Sequence, residues 1–193
     1  ATTTVDVLND VGPIENTGSG LTYCSIQEAI DNPLTTDGAT LKINVADYTE
    51  PGYINVTKSL TIQGLGKSAT ILRCNVNTTT GHADNASAWI MTSVGKVVTF
   101  KDMTLDGTGK NVFTAIRFKG NGLVNNVAFN QIKHSAYYGI AVQVQNGAVD
   151  VTYSDFANIG RIGVHYRNGV MPGAVISGLY DHNNYTGKGN GDW

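Results

Sequence analysis

Six polar side chains fall at alternating positions in three separate segments: Arg117 and Lys119, Gln143 and Gln145, His165 and Arg167. If Ile116, Phe118, Val142, Val144, Val164 and Tyr166 point inward, these six point outward, because successive residues of a strand face opposite sides. Stacked in register they form columns about 4.8 Å apart, giving a basic face rich in amides. Guanidinium forks match the carboxylates of acidic sugars, and flat stacked strands run along an extended chain, so such a face can bind an acidic polysaccharide. A solvated strand face also has to be polar, and the same six residues meet that need without any ligand.

Chemistry beyond binding has few candidates. His165 and Arg167, with Asp155, offer an imidazole base, a carboxylate clamp and an acidic partner for the imidazole, whereas a solitary strand histidine is ordinarily polar surface. Asp181-His182 is a further acid and imidazole, set among Asn183, Asn184 and Gly187, a composition that reads as a turn. Calcium requires several oxygen ligands in one place. Asp102 and Asp106 lie close together but lack a third carboxylate, so calcium has little to hold it and no cofactor is expected. Trp89, between Ala88 and Ile90, reads as core, and Asn125, Asn126, Asn130 and Asn158 read as stacked corner residues with structural roles. Cys24 and Cys74 can close one disulfide in an oxidising compartment or stand as two buried thiols.

Composition narrows the class. The 193 residues suffice for one domain, 15% are charged, and 23 are Gly, so Thr, Ser, Asn and Gln carry the surface as in extracellular β-proteins. A net charge of -2 and a pI near 6.1 give no reason to expect nucleic acid or an anionic membrane. No run approaches the roughly 18 apolar residues of a membrane span, and the opening Ala1-Thr2-Thr3-Thr4 reads as a mature chain. Sequons at Asn55, Asn77, Asn85 and Asn184 agree with secretion.

The elements that must position these residues are strands. Asn121-Gly122, Asn146-Gly147 and Asn168-Gly169 recur at gaps of 25 and 22 residues between alternating apolar segments, the pattern of a chain winding into a solenoid. Later segments start near Val97, Leu123, Ala148 and Gly173, and three short strands with corners consume about 20 to 25 residues per turn, which fits a three-sided coil. The irregular period favours the right-handed form. One helix is expected: Ser25-Ile26-Gln27-Glu28 has capping-box spacing, Ile26, Ala29 and Ile30 share a face, and Pro33 ends the run. It reads as a cap over the open end of the stack, preceded by a strand at Thr4–Leu8.

The stretches Ser25-Ile26-Gln27-Glu28-Ala29-Ile30, Ile43 to Glu50, Leu60 to Lys67 and Thr70-Ile71-Leu72 resemble the N-terminal coils of secreted right-handed parallel β-helix proteins of the pectin-lyase-like superfamily, among them pectin methylesterases and surface proteins of bacteria and archaea. The resemblance is close over roughly Tyr23 to Leu72 and generic beyond. It implies an all-β fold, a single domain over 1–193 in which 1–37 form the N-terminal strand, loop and cap and 38–193 form about six coils. The methylesterase motifs are missing after Leu72, no Asp-Asp pair exists, and Gly81-His82-Ala83 and Arg117-Phe118-Lys119 are only fragments of polygalacturonase motifs. The expected function is therefore a non-catalytic extracellular or cell-surface structural or adhesive module that binds polysaccharide or self-associates end to end. The rival is a lyase, hydrolase or esterase acting on acidic glycans. The Gly-rich tail Thr186 to Trp193 carries no capping helix, so the last coil can pair with another copy as a homo-oligomer or filament, unless Trp193 folds over the end.

Overall fold

The computed structural model describes residues 11–135, 138–168 and 171–188. The expected strand at 4–8, Gly169 of the third Asn-Gly pair and the tail from 189 to Trp193 lie outside them. A hairpin of β1 (Ile14–Asn16) and β2 (Leu21–Tyr23) leads into α1 (Ile26–Asp31). The first turn of the solenoid is β3 (Thr40–Ile43), β4 (Asp47–Glu50) and β5 (Ile54–Val56), and the second is β6 (Leu60–Gln63), β7 (Ile71–Cys74) and, after a loop, β8 (Ala88–Thr92). In the next two turns the first two strands merge into one bent strand, giving β9 (Val97–Asp106) with β10 (Thr114–Phe118) and β11 (Asn121–Asn130) with β12 (Ile140–Val144). β13 (Gly147–Thr152), β14 (Asp155–Ile159) and β15 (Ile162–Tyr166) complete the fifth turn, and β16 (Ile176–Ser177), β17 (Tyr180–Asp181) and β18 (Asn184–Lys188) start another. The result is an all-β solenoid of about 5 turns, close to the expected count of about six.

Parallel pairing in strict register builds the core. On the five-stranded face β5-β8-β10-β12-β15, Ile54, Ile90, Ile116, Val142 and Val164 stand in one inward column. A second column runs Leu41, Ile62, Phe100, Val124 and Val151, and a third runs Tyr48, Leu72, Leu105, Phe129, Phe156 and Tyr185. In the third column the Phe129 and Phe156 rings stack at 5.2 Å and 2°. Trp89 is fully buried, as its apolar neighbours suggested.

The corners explain the irregular period. Asp102, Asn126, Tyr153 and His182 occupy successive rungs at the same bend with φ of 58°, 54°, 52° and 51°, the left-handed region where Asp, Asn and His are enriched. Side-chain bonds between rungs step by 24 residues from Asn126 to Asp102, 27 from Thr152 to Asn125 and 29 from Asn183 to Ser154. The Asn-Gly pairs consequently do not superimpose: Gly147 packs against Gly120, while Asn121 Oδ1 accepts from Ala148 N at 2.9 Å. The bend recurs, and residues other than Asn-Gly can make it. At Gly122, by contrast, a Cβ would collide with the Phe118 ring, so that inward position is restricted to glycine by space.

The helix caps the stack as expected. Ser25 Oγ accepts from Glu28 N at 3.0 Å, Glu28 Oε2 accepts from Cys24 N at 2.9 Å, and Ile26, Ala29 and Ile30 are buried. Gln27 Oε1 accepts from Asn55 N at 2.7 Å, supplying the edge of β5 with the acceptor a preceding rung would give. Buried Glu50 accepts from Ile26 N at 3.0 Å, Gln27 N at 3.3 Å and the Tyr48 hydroxyl at 2.9 Å. Burial raises its carboxyl pKa, against the lowering effect of those donors.

Glu50→Ala leaves these donors unpaired and is expected to cost about 1–3 kcal/mol in urea denaturation. Because the folded-state pKa is raised, the contribution of Glu50 is full below its ordinary value of 4.5 and falls as pH rises through the raised one. The gap between wild type and variant therefore narrows from acid toward neutral pH; a gap that widens over that interval contradicts the assignment.

Candidate functional site

The outward columns form as the alternation predicts, but the face is not open. Met91, Arg117, Gln143 and His165 are successive register partners, and Arg117, Gln143 and Gln145 are nevertheless fully buried. The cover is the loop between β7 and β8. Asp84 organises it, accepting from Thr79 Oγ1 at 2.5 Å and from Ala86 N at 2.9 Å, which starts a 3₁₀ turn at Asn85–Ser87. Thr78 ties the loop to the next turns, its Oγ1 accepting from Phe113 N at 2.8 Å and its carbonyl lying 3.1 Å from His134 Nε2.

Arg117 is the pin. Its Nη1 donates to Asp84 O at 2.6 Å, its Nη2 to Gly81 O at 2.9 Å and Ser87 Oγ at 2.7 Å, and its Nε to Gln143 Oε1 at 2.8 Å. Gln143 Nε2 donates to His82 Nδ1 at 2.5 Å, and Gln145 Nε2 donates to His82 O and to Gln143 Oε1. Lys119 Nζ donates to Asn85 Oδ1 at 2.9 Å. Burial pulls the Arg117 pKa down to about 10, with Asp84 opposing, so the guanidinium stays charged at neutral pH. Four of the six predicted ligand-binding residues are thus engaged with the protein's own loop. The expectation of an exposed basic face is corrected: a loop backbone crossing a sheet needs donors for its carbonyls, and these side chains supply them.

The remaining two residues, His165 and Arg167, open onto a cavity of about 190 Å³. His82 and Arg161 complete its basic wall, and Phe113, Tyr138, Ile140 and Ile162 form the apolar one. The two imidazoles meet edge to face at 5.6 Å, and Arg161 Cζ lies 5.5 Å from the Tyr138 ring centre. His165 Nδ1 and Arg167 Nε are buried without a hydrogen-bond partner. Burial, then the positive charge of Arg167, lowers both histidines, His82 to about 4, so both are neutral at pH 7. Among the described residues no carboxylate lines the cavity.

Asp155 does not join this group. It sits on a different face, on β14, with its Oδ2 2.6 Å from Lys67 Nζ. Asp181 and His182 bond each other at 2.7 Å on the exposed corner, where the imidazole stacks on Tyr153 at 4.9 Å. Asp102 accepts from Asn126 and Gln63, and Asp106 from Arg73, Thr108 and Asn130, at opposite ends of one stretch of β9. Among the described residues no three His, Cys, Asp or Glu side chains gather to hold a metal. Cys24 and Cys74 are not joined. Cys24 is exposed beside the helix start, whereas Cys74 is buried in register with Glu50, its thiol pKa raised to about 11 by burial. His82, Phe113, Tyr138 and Arg161 escaped the sequence reading because all four lie outside the strands and none shares a spacing with the others; the Gly81-His82 pair was the one visible trace.

A cell surface glycoprotein of Methanothermus fervidus is 42% identical to this chain over 55 residues, which make up 28% of the chain and 9% of that protein. The match thus covers a small fraction of that protein's length. No family model matches the chain, and no solved structure does.

Arg117→Met removes the donors that hold Gly81, Asp84 and Ser87. The expected loss is about 1–3 kcal/mol, together with new protease cleavage within 79–86. Unchanged stability and a protease-resistant loop would show that the guanidinium does not pin it.

Proposed function

We propose that the chain is an extracellular or cell-surface structural and adhesive module rather than an enzyme. The observation that carries this reading is the engagement of Arg117, Lys119, Gln143 and Gln145 with the loop, which turns the best sequence candidate for a binding face into internal structure. The β-solenoid architecture, the resemblance of the early coils to secreted parallel β-helix proteins and the printed name of the Methanothermus relative support it. The sequon residues Asn55, Asn77, Asn85 and Asn184 are all exposed, as attachment of a glycan requires. A polysaccharide-active enzyme is the second reading, favoured by the basic cavity at His165 and Arg167. Catalysis on glycans generally needs an acid and base flanking the bond, and the nearest sequence candidate, Asp155, is bound to Lys67.

Incubation with pectin, alginate and related polymers is expected to release neither reducing ends nor unsaturated products. Turnover that disappears in His165→Ala or Arg167→Ala would replace this reading with the enzymatic one.

End-to-end association is part of the proposal. β15 ends the five-stranded face, and at the same end Tyr180 and Tyr185 are exposed around a groove of about 320 Å³ that reaches Val164 and Tyr166. Unpaired strand edges beside exposed aromatics favour pairing with another chain. Light scattering is expected to show mass rising with protein concentration, and a constant monomer mass would remove self-association from the account.

A further inference from the structure

We propose that His82 is an acid-sensitive latch: a proton on its Nδ1 releases the loop between β7 and β8 from Gln143 and Gln145, while the strands beneath stay closed. The inference goes beyond the structural role, since a loop pinned by Arg117 alone needs no titratable group.

Hydrogen-bond polarity fixes the latch from one end to the other. The Arg117 Nε–H can only donate, and it donates to Gln143 Oε1 at 2.8 Å, so that end of the Gln143 amide is the oxygen. Gln145 Nε2 donates to the same oxygen at 3.2 Å. The other end of the amide is therefore its NH2 group, 2.5 Å from His82 Nδ1. An NH2 group donates and cannot accept, so Nδ1 has to be the unprotonated nitrogen of the ring. Gln145 Nε2 also donates to His82 O, tying the backbone of this residue to the same pair of amides. A proton arriving at Nδ1 sets two donors against each other. Rotating Gln143 to offer its oxygen would turn its NH2 group toward Arg117 Nε, again donor against donor. No orientation of the amide satisfies both neighbours.

Charge acts in the same direction. On the loop itself, Asp84 turns its carboxylate to Thr79 Oγ1 and Ala86 N. The sheet presents Arg117 on β10, the neutral amides of Gln143 and Gln145, Arg161 just before β15, His165 on β15 with its ring centre 5.6 Å away, and Arg167 just after it. The Phe113 ring packs edge to face at 5.3 Å. Burial, and then the charges of Arg167, His165, Arg117 and Arg161, hold the His82 pKa at about 4 against an ordinary 6.5. The closed latch thus binds a proton less readily than the open one. Closure is complete above pH 6.5 and weakens as pH falls from 6.5 to 4.

The test follows the side-chain amide protons of Gln143 and Gln145 in the intact chain by hydrogen exchange from pH 7 to pH 4, corrected for the intrinsic rate at each pH. Their protection is expected to fall by a factor between about 10 and about 300. The larger figure is the limit set by a pKa change from 6.5 to about 4, and the smaller allows for solvent screening. The backbone amides of Ile116 and Val142 are expected to keep their protection. Loss of strand protection over the same interval would make the event general acid unfolding and overturn the latch, as would unchanged protection of the two side-chain amides. His82→Gln keeps an acceptor for Gln143 without a titrating group, and is expected to hold the loop with no pH dependence in this range. His165→Phe is expected to retain the dependence. If the dependence survives in His82→Gln and disappears in His165→Phe, the proton belongs to His165 and the proposal fails. Should His82→Gln not fold, the His82 imidazole resonance of the unaltered chain decides: a midpoint well below 6.5 is expected, and a midpoint at 6.5 overturns the latch.

Discussion

Each rung has to set its inward side chain above that of the rung before it, and the rest of the architecture follows from this register. The columns from Ile54 to Val164 and from Tyr48 to Tyr185 are possible only if strand lengths stay matched from turn to turn. Extra or missing residues must then be absorbed between strands. At the bend they are absorbed by one left-handed residue per turn, Asp102, Asn126, Tyr153 and His182, with the intervals stretching from 24 to 29. Where more chain is inserted, between Cys74 and Ala88, it leaves the coil and lies across the outside of the next rungs.

That excursion has a physical cost, because the loop carbonyls of Gly81, His82 and Asp84 are covered and need donors. Register provides them, placing Arg117 directly beside Gln143 and two rungs from His165. The buried guanidinium has backbone carbonyls, a hydroxyl and an amide as direct acceptors, and no carboxylate side chain. Its charge therefore adds to that of Arg161 and Arg167 in depressing His82, a loop residue that also lines the cavity. The covered face, its cavity and the depressed histidine are in this way consequences of a single insertion.

Much of this was legible in the residues. Alternation gave the inward and outward sets on β10, β12 and β15 correctly, and the Ser25 to Glu28 spacing located the helix and its cap. Burial of Trp89 between Ala88 and Ile90 followed from its apolar neighbours. What pattern could not supply was exposure: a residue directed outward is solvated only if nothing folds over it, and no local signal says that Gly81 to Ser87 returns to Arg117, some 30 to 36 residues away. The Asn-Gly pairs do not mark equivalent positions on successive rungs for a related reason, since the conformation of a corner recurs while its residue type changes. Buried Glu50 went unremarked because two of its three partners, Ile26 and Gln27, are distant in sequence and bind through their backbone.

Native-state hydrogen exchange tests the central claim, that the loop and the stacked rungs form one unit closed over Arg117. The amides of Thr79 and Ser87, bonded to Ala86 O and Asp84 O, should be protected together with those of Ile116 and Val142 and lose protection with them in Arg117→Met. Exchange of Thr79 and Ser87 at unprotected rates while the strands remain closed would contradict the account, leaving Arg117, Gln143 and Gln145 on an open face.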